Sequence, residues 1–565
     1  MRRSLSALIL ILTASFAFAA NDVPATAPPA VQRAMKAFDA RALAVHDKFL
    51  ASDLLEGRGP GTRGDDLAME YIATQFELFG LQPAGDHGTY YQRVPLVGAR
   101  TIPEKSSISF VKEGAAAVTP KYGDDFVTGD QTQQESNDLD SELVFVGHGV
   151  VAPEYKWDDY KGLDTRGKTL VMLVDDPPAT PAEPDLFKGK TRTYYGRWTY
   201  KYEIGTAKGA QGVILIHTDD AAGYSWGVVR NSWGGEKSYL EVKPGAPALR
   251  FAAWVTEQLA SQLFKGAGLD LNAMTKAAAS RDFKPVSLGY RLSGKIVSAV
   301  RKFDSANVIA KLPGSDPVLK DEAVLYSAHH DHFGIGKPDP NGDPNDTIYN
   351  GAIDNASGCA LLIDSAHVWA TSGVKPKRSI YFAAVAAEEQ GLLGSQWLAE
   401  NPPLPTGKIA LGINYDAIPE LGRVRDVSMI GIERQTFFAD AQRIAKAMGI
   451  RIVPDLEPEQ GHYYRSDHFN LAKAGVPAFS VDPGHDIVGK PAGWGKKMSD
   501  DYREHRYHEP SDQFDPKWDW SEGVEIAQFG FWLGWDAANA ATMPNWVPGD
   551  EFRAIRDRSL AASKK

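Results

Sequence analysis

Five stretches of the chain end in side chains of the kind that bind divalent metals: His329-His330-Asp331, Asp354-Asn355, Glu388-Glu389, Asp416 and His508. Imidazole and carboxylate are donors that zinc accepts, so the chemistry these residues could support is that of a metal centre. The single cysteine, Cys359, excludes both an intrachain disulfide framework and a cysteine-ligated zinc finger, which leaves His, Asp and Glu as the available donors. The candidates are scattered from 329 to 508, so only folding can assemble them. The compact HExxH signature is absent, since His508-Glu509 is followed by Pro510, Ser511 and Asp512. A lone Asp after a strand commonly serves as a helix cap or turn former. Adjacent Glu388 and Glu389 resist that explanation, because they end the apolar run 383–387 and two carboxylates there repel unless a cation sits between them. His330 and His332 flank the first stretch; in an extended segment their side chains point away from that of His329, so they read as surface residues or as supports behind it.

These residues need a scaffold that presents them together. Beyond about residue 306, apolar runs at 323–328, 379–386, 409–415 and 478–481 alternate with helical patterns at 357–369, 391–400 and 435–448. Such alternation predicts an α/β fold with a mostly parallel central sheet flanked by helices. In open sheets of this kind ligands bind beyond the carboxyl ends of the strands, where three of the five stretches fall. Upstream, apolar residues at helical spacing over 31–79 predict two helices around the loop Glu56-Gly57-Arg58-Gly59-Pro60-Gly61. Between about 130 and 292 short β runs (142–151, 169–175, 212–217) separated by Gly, Pro and Asp predict a compact β-rich unit. Its aromatic residues, among them Tyr194, Tyr195, Trp198 and Trp233, read as core rather than as a ligand wall.

Composition sets the outer limits. With 565 residues, 43% hydrophobic and 24% charged, the chain can bury more than one core. Sixty-one Lys and Arg against 72 Asp and Glu leave a net charge of -11, which argues against nucleic acid as a partner. Arg2 and Arg3, the apolar run 5–20 and Ala17-Phe18-Ala19 form the pattern of an export signal over residues 1–19. The expected location is therefore periplasmic or secreted, without a membrane anchor once the signal is cut.

The order of these elements resembles the di-zinc exopeptidase (metallopeptidase) family that includes bacterial leucine aminopeptidases and glutamate carboxypeptidase. The resemblance is carried by Ser327-Ala328-His329-His330-Asp331, 351–358, 387–395, Ile413-Asn414-Tyr415-Asp416 and 507–512. Gly57-Arg58-Gly59-Pro60-Gly61-Thr62, Asn307-Val308-Ile309-Ala310 and Ser466-Asp467-His468-Phe469 extend it along the flanks. The β-rich segment resembles the protease-associated domain inserted in many members. The resulting division is a signal at 1–19, an N-terminal part of the catalytic domain at 20–130, the inserted domain at 131–292 and the main catalytic domain at 293–565.

The resemblance implies two Zn²⁺ ions, with His329 and Asp416 on one, Glu389 and His508 on the other, and Asp354 bridging. Each zinc then keeps an open position for water, as a catalytic site requires. It further implies peptide hydrolysis by a metal-bridging hydroxide, with Glu388 as general base, Asp331 as an orienting residue and Tyr507 as a hydrogen-bond donor to the oxyanion. The Asp354-Asn355 peptide is a candidate for the cis form, and Cys359 is core filler. Peptides are the expected substrates and an aminopeptidase the leading activity. A carboxypeptidase or dipeptidase on the same fold is the alternative, and a non-catalytic receptor-like binding protein a more distant one. The insert is expected to cover the cleft, with Arg197 and Trp198 as substrate contacts. The oxygen-rich run 339–346 lacks the glycine and terminal Glu of a calcium loop, and Ser466-Asp467-His468 is too local to be a Ser-His-Asp triad.

Overall fold

The computed structural model describes residues 23–339, 342–455 and 457–563; the expected export signal lies outside them. Among the described residues, no helix is long and apolar enough to cross a membrane. The main sheet uses β1 (Tyr91–Thr101), β2 (Val286–Leu312), β3 (Ala323–His329), β4 (Ser379–Val385), β5 (Ile409–Asn414) and β6 (Ala478–Ser480). Its order is β6-β5-β3-β4-β2, with β1 along the middle of β2. From β6 to β4 the pairs are parallel, whereas β2 runs antiparallel to both β4 and β1.

The parallel strands form where the sequence is apolar without interruption, and every residue of β3, β4 and β5 is buried. Alternate residues then face opposite layers. Val324, Tyr326 and Ala328 join one core, while Ala323 and Leu325 join the other. The first layer is built by α1 (Gly358–Thr371) and α2 (Ser521–Asn539), where the Trp369 and Phe531 rings lie 4.3 Å apart. Burying a side chain of that size contributes about 1.5–3 kcal/mol. The opposite layer takes Leu398 from Leu393–Glu400 and Leu471 from His468–Lys473. The predicted strands and helices of this half therefore form, but α2 was not anticipated. Its Gly523, Gly530 and Gly534 read as helix breakers in sequence.

A second sheet runs in the order Ser136–Phe145, Thr169–Leu173, Gly212–His217, Phe251–Thr256, Phe126–Gly129. The link between the sheets is β2 itself: residues 286–297 pair with Ser136–Phe145, and residues 308–312 pair with β4. A strand of 27 residues is long enough to serve as a member of both. Two sequence expectations change accordingly. Residue 293 marks no break, because β2 passes through it, and Ser107–Val111 and Phe126–Gly129 belong with the second sheet although they precede residue 131. The three middle strands of this sheet are parallel and alternate with helices such as Trp198–Ala207 and Glu257–Gly266.

The N-terminal helices close over the carboxyl edge of the main sheet. Arg58, fully buried and on the loop between Ala40–Leu50 and Arg63–Leu78, donates to the carbonyls of His330, Leu50, Asn350 and Gly351 at 2.5–2.9 Å. One guanidinium thus ties the segment after β3 to the segment carrying Asp354.

Candidate metal centre

β3 ends on His329, β4 leads through Ala387 to Glu388 and Glu389, and β5 leads to Asp416. Asp354 sits in the turn Ala352–Ser357 that opens α1, and His508 follows the helix Trp494–His505. Several of these positions are beside left-handed backbone: Ala387 (φ 52), Ala417 (φ 53) and His508 itself (φ 63). Non-glycine residues held in that region cost on the order of 1–3 kcal/mol each and cluster where the surrounding structure over-determines them. Here they swing each chain end away from strand direction and into the centre. Asp354-Asn355 is cis.

The two carboxylate oxygens of Asp354 face different histidines. Oδ1 lies 3.1 Å from His329 Nε2, and Oδ2 lies 3.3 Å from His508 Nε2. His329 Nε2 is also 3.2 Å from Asp416 Oδ1, and His508 Nε2 is 3.2 Å from Glu389 Oε2. Donors sharing one tetrahedral zinc at about 2.0–2.1 Å are themselves about 3.3 Å apart. The five residues therefore fit two zinc positions with Asp354 between them. A second observation agrees: Glu389 Oε1 and His508 Nε2 are buried atoms that make no hydrogen bond, which is expensive unless a cation satisfies them.

Electrostatics point the same way. Burial opposes charge on His329 and His508, yet the surrounding carboxylates raise both, His329 through Asp416 and Glu388, and His508 to about 10 through Glu389 and Asp354. Burial and then the Asp354 charge push Glu389 up to about 7. Glu388 is held well above the usual carboxylate range, by burial first; the charge of His329 opposes this, and those of Glu389 and Asp416 add to it. The imidazoles thus gather protons where a divalent cation would release them, the exchange expected when metal binds such a site.

The supporting contacts are specific. The Asp331 carboxylate accepts from the Glu388 and Glu389 amides at 3.0 and 3.4 Å, while its carbonyl lies 3.2 Å from His329 Nδ1. A carbonyl can only accept, so Nδ1 carries the hydrogen and Nε2 offers its lone pair inward. Asp512 accepts from the Ile353 and Asp354 amides, both at 3.1 Å, and from the Tyr502 hydroxyl. Ser466 Oγ donates to Asp416 Oδ2 at 2.5 Å and accepts from Asn414 Nδ2, whose amide oxygen accepts from Ser327. The supporting roles of Ser466 and Asp512 were not legible in sequence, since each contact joins segments far apart in the chain.

Other expectations need correction or detail. His330 and His332 are not surface residues; both are buried. His330 Nε2 meets the Ala306 carbonyl at 3.1 Å and its Nδ1 lies 3.4 Å from Asp65 Oδ1. His332 packs so tightly that a Cβ on Gly351 would come within 2.7 Å of its ring. The extended-strand argument was wrong because the chain leaves β-geometry after His329. Tyr507 stacks on the His508 ring, centroids 3.7 Å apart, and is 43% exposed. Cys359 is buried in α1.

Trp198 is not brought to the centre. It lies edge-on to Tyr202 and Trp233 in the core of the second sheet, because the helix Trp198–Ala207 turns it inward. Arg197 is one residue earlier. Its Nε is buried without a hydrogen-bond partner, and its pKa falls to about 10, through burial and then the charge of Arg465. Arg465 precedes Ser466 and is lowered in turn by burial and by Arg192, while Tyr224 and Tyr507 oppose this. Three guanidiniums, two from the inserted segment, thus gather beside the residue that holds Asp416. Tyr194 packs against the main-sheet half, its ring 5.1 Å from that of Phe469. A separate cavity of about 350 Å³ is lined in part by Gln390, the neighbour of Glu389, and by Phe333, whose ring is 4.7 Å from that of His508.

Comparison with known proteins adds the following. A "Probable zinc metalloprotease" of Pyrenophora teres f. teres is 39% identical over 112 residues, 20% of this chain and 22% of that protein. "Leupeptin-inactivating enzyme 1" of Streptomyces exfoliatus is 28% identical over 190 residues, 32% of this chain and 36% of that protein. The chain thus spans about a fifth to a third of the length of these curated relatives. Among solved structures, an aminopeptidase from Aneurinibacillus sp. strain AM-1 aligns over 91% of this chain and 97% of its own, at 18% identity and a TM-score of 0.46. A peptidase M28 precursor from Shewanella amazonensis SB2B aligns over 92% and 99%, at 19% identity and a TM-score of 0.41. The model of peptidase family M28 matches residues 307–529. That match takes in all five donors.

Proposed function

We propose that the protein is a di-zinc exopeptidase and, in its leading activity, an aminopeptidase. The observation that carries this is the placement of the Asp354 oxygens, each 3.1–3.3 Å from a histidine that is itself 3.2 Å from a further carboxylate. His329 and Asp416 would hold one zinc, Glu389 and His508 the other, and Asp354 both. When bound, the ions supply Lewis acidity and lower the pKa of water.

The chain's own residues do the rest. Glu388 takes a proton from the attacking water onto its carboxylate and delivers it to the leaving amine; its raised pKa places it nearer the working pH, as a general base requires. Asp331 holds the Glu388-Glu389 turn through two amides and fixes the His329 tautomer, which keeps base and donors in register. Tyr507, stacked on His508 at the open side of the centre, is the candidate donor to the oxyanion. The inserted segment walls the cleft through Arg197. Residues 1–19 export the protein to the periplasm or beyond.

One observation favours a second activity, that of a dipeptidase or carboxypeptidase. The Arg192, Arg197 and Arg465 cluster would suit the free carboxylate of a short peptide. Hydrolysis rates on a set of dipeptides, tripeptides, N-acetylated tripeptides and tripeptide amides test both. An aminopeptidase cleaves the amides and spares the acetylated peptides. The reverse result establishes the carboxypeptidase, and cleavage only of peptides free at both ends establishes the dipeptidase.

A further inference from the structure

His332 has no role in the five-donor arrangement, yet its surroundings match those of a ligand. Its Nδ1 lies 2.9 Å from the Tyr349 carbonyl. That carbonyl can only accept, so Nδ1 carries the hydrogen and Nε2 presents a lone pair. The lone pair faces Glu389 Oε1 at 3.5 Å, and both atoms are buried without a hydrogen bond. His329 has the same construction, with a backbone carbonyl at Nδ1 and carboxylate oxygens at Nε2.

Two acceptors facing each other in a buried site repel unless a cation lies between them. A shared proton is a poor occupant, because 3.5 Å exceeds the 2.7–3.2 Å of N–H···O bonds. It suits two donors on one zinc, which lie about 3.3 Å apart. His332, Asp354 and Glu389 also place one donor atom each within 4.8 Å of the others. The His332 and His508 rings approach edge-on, centroids 6.0 Å apart, so both imidazoles can reach the same position.

We propose that His332 is a fourth protein donor to the metal position served by Glu389, His508 and Asp354. This rests on the di-zinc reading above. It makes the centre unequal: the position of His329 and Asp416 has three protein donors, whereas the other has four. The four-donor position should hold its ion more tightly.

Zinc X-ray absorption on the wild-type holoenzyme counts imidazoles directly, and three for two zinc ions is the expected result. Zinc content after graded chelation should show one ion leaving readily and one retained. In His332→Gln the retained ion should bind about 100-fold more weakly, comparable to the upper range for losing a single supporting contact. His332→Asp should restore part of that affinity by supplying an oxygen donor, which a purely packing role would not explain. Two zinc ions with only two imidazoles, or unchanged retention in a folded His332→Gln, overturns the proposal and leaves the di-zinc centre intact. Zinc binding by neither position overturns the di-zinc reading and this inference with it.

Discussion

The two sheets share a strand and a style of construction, yet only one gathers chemistry. In the main sheet the carboxyl ends of β3, β4 and β5 deliver His329, Glu388, Glu389 and Asp416 to one spot. In the second sheet the corresponding strands Thr169–Leu173, Gly212–His217 and Phe251–Thr256 are equally buried and parallel. Two of them lead instead into capped helices, where Thr218 accepts from the Ala221 amide and Thr256 from the Leu259 amide. His217 ends one of these strands, but it bonds the Tyr224 carbonyl and packs between Trp226 and Trp254. A parallel sheet thus supplies a place for a site, and charge concentrated against the burial cost makes one. The second sheet's segment instead sets Arg192 and Arg197 beside Arg465.

The comparison breaks most visibly if the shared carboxylate is removed. Asp354→Ala should lose both zinc ions and all measurable peptidase activity, checked by elemental analysis and peptide hydrolysis; retention of two ions would show that Asp354 does not join the positions. Glu388→Gln should keep zinc and fold while kcat drops by about 10²–10⁴-fold, the range for losing a general base. Near wild-type turnover would remove Glu388 from the chemistry.

The proposed wall can be tested with two adjacent residues. Arg197→Ala should raise KM for peptides with a free carboxylate about tenfold with little change in kcat or zinc content, equivalent to about 1.4 kcal/mol of binding. Trp198→Ala should leave KM alone and lower stability by roughly 2 kcal/mol, somewhat less than for a fully buried aromatic ring. If Trp198→Ala alters KM instead, the helix Trp198–Ala207 presents both side chains to substrate.

A pH-dependent effect concerns the second sheet alone. Asp159 accepts from the Val150 amide and Trp157 Nε1, but burial raises its pKa from 3.8 to about 6. The folded state therefore holds the proton more tightly than the unfolded chain. Stability from this group is complete below pH 3.8 and declines as pH rises to about 6, by at most about 3 kcal/mol. Urea unfolding between pH 4 and 6 should show this slope, and Asp159→Asn should flatten it. Zinc retention should not follow Asp159, since the group lies outside the centre.

Legibility in sequence differed with the physics of each feature. β3, β4 and β5 were visible because strands buried on both faces must be apolar throughout. Glu388 and Glu389 were visible because charge at the end of such a run has no structural purpose of its own. α2 was not, since Gly530 and Gly534 suggest a break; each stands where a Cβ would approach a tyrosine hydroxyl, Tyr415 at 2.1 Å and Tyr326 at 1.8 Å. Trp198 misled because an aromatic residue reads the same in a core and in a cleft.

The sequence by itself determined which donors exist, their order along the chain and the strand ends that carry most of them, because side-chain chemistry and apolar periodicity are local properties. The tertiary structure alone decided that the Asp354 oxygens divide between His329 and His508, that Ser466 and Asp512 brace the centre, and that His332 is buried against Glu389. Those are distances between segments remote in the chain. They are set by how the layers close over the sheet, a cooperative outcome of the whole core that no stretch of residues encodes alone.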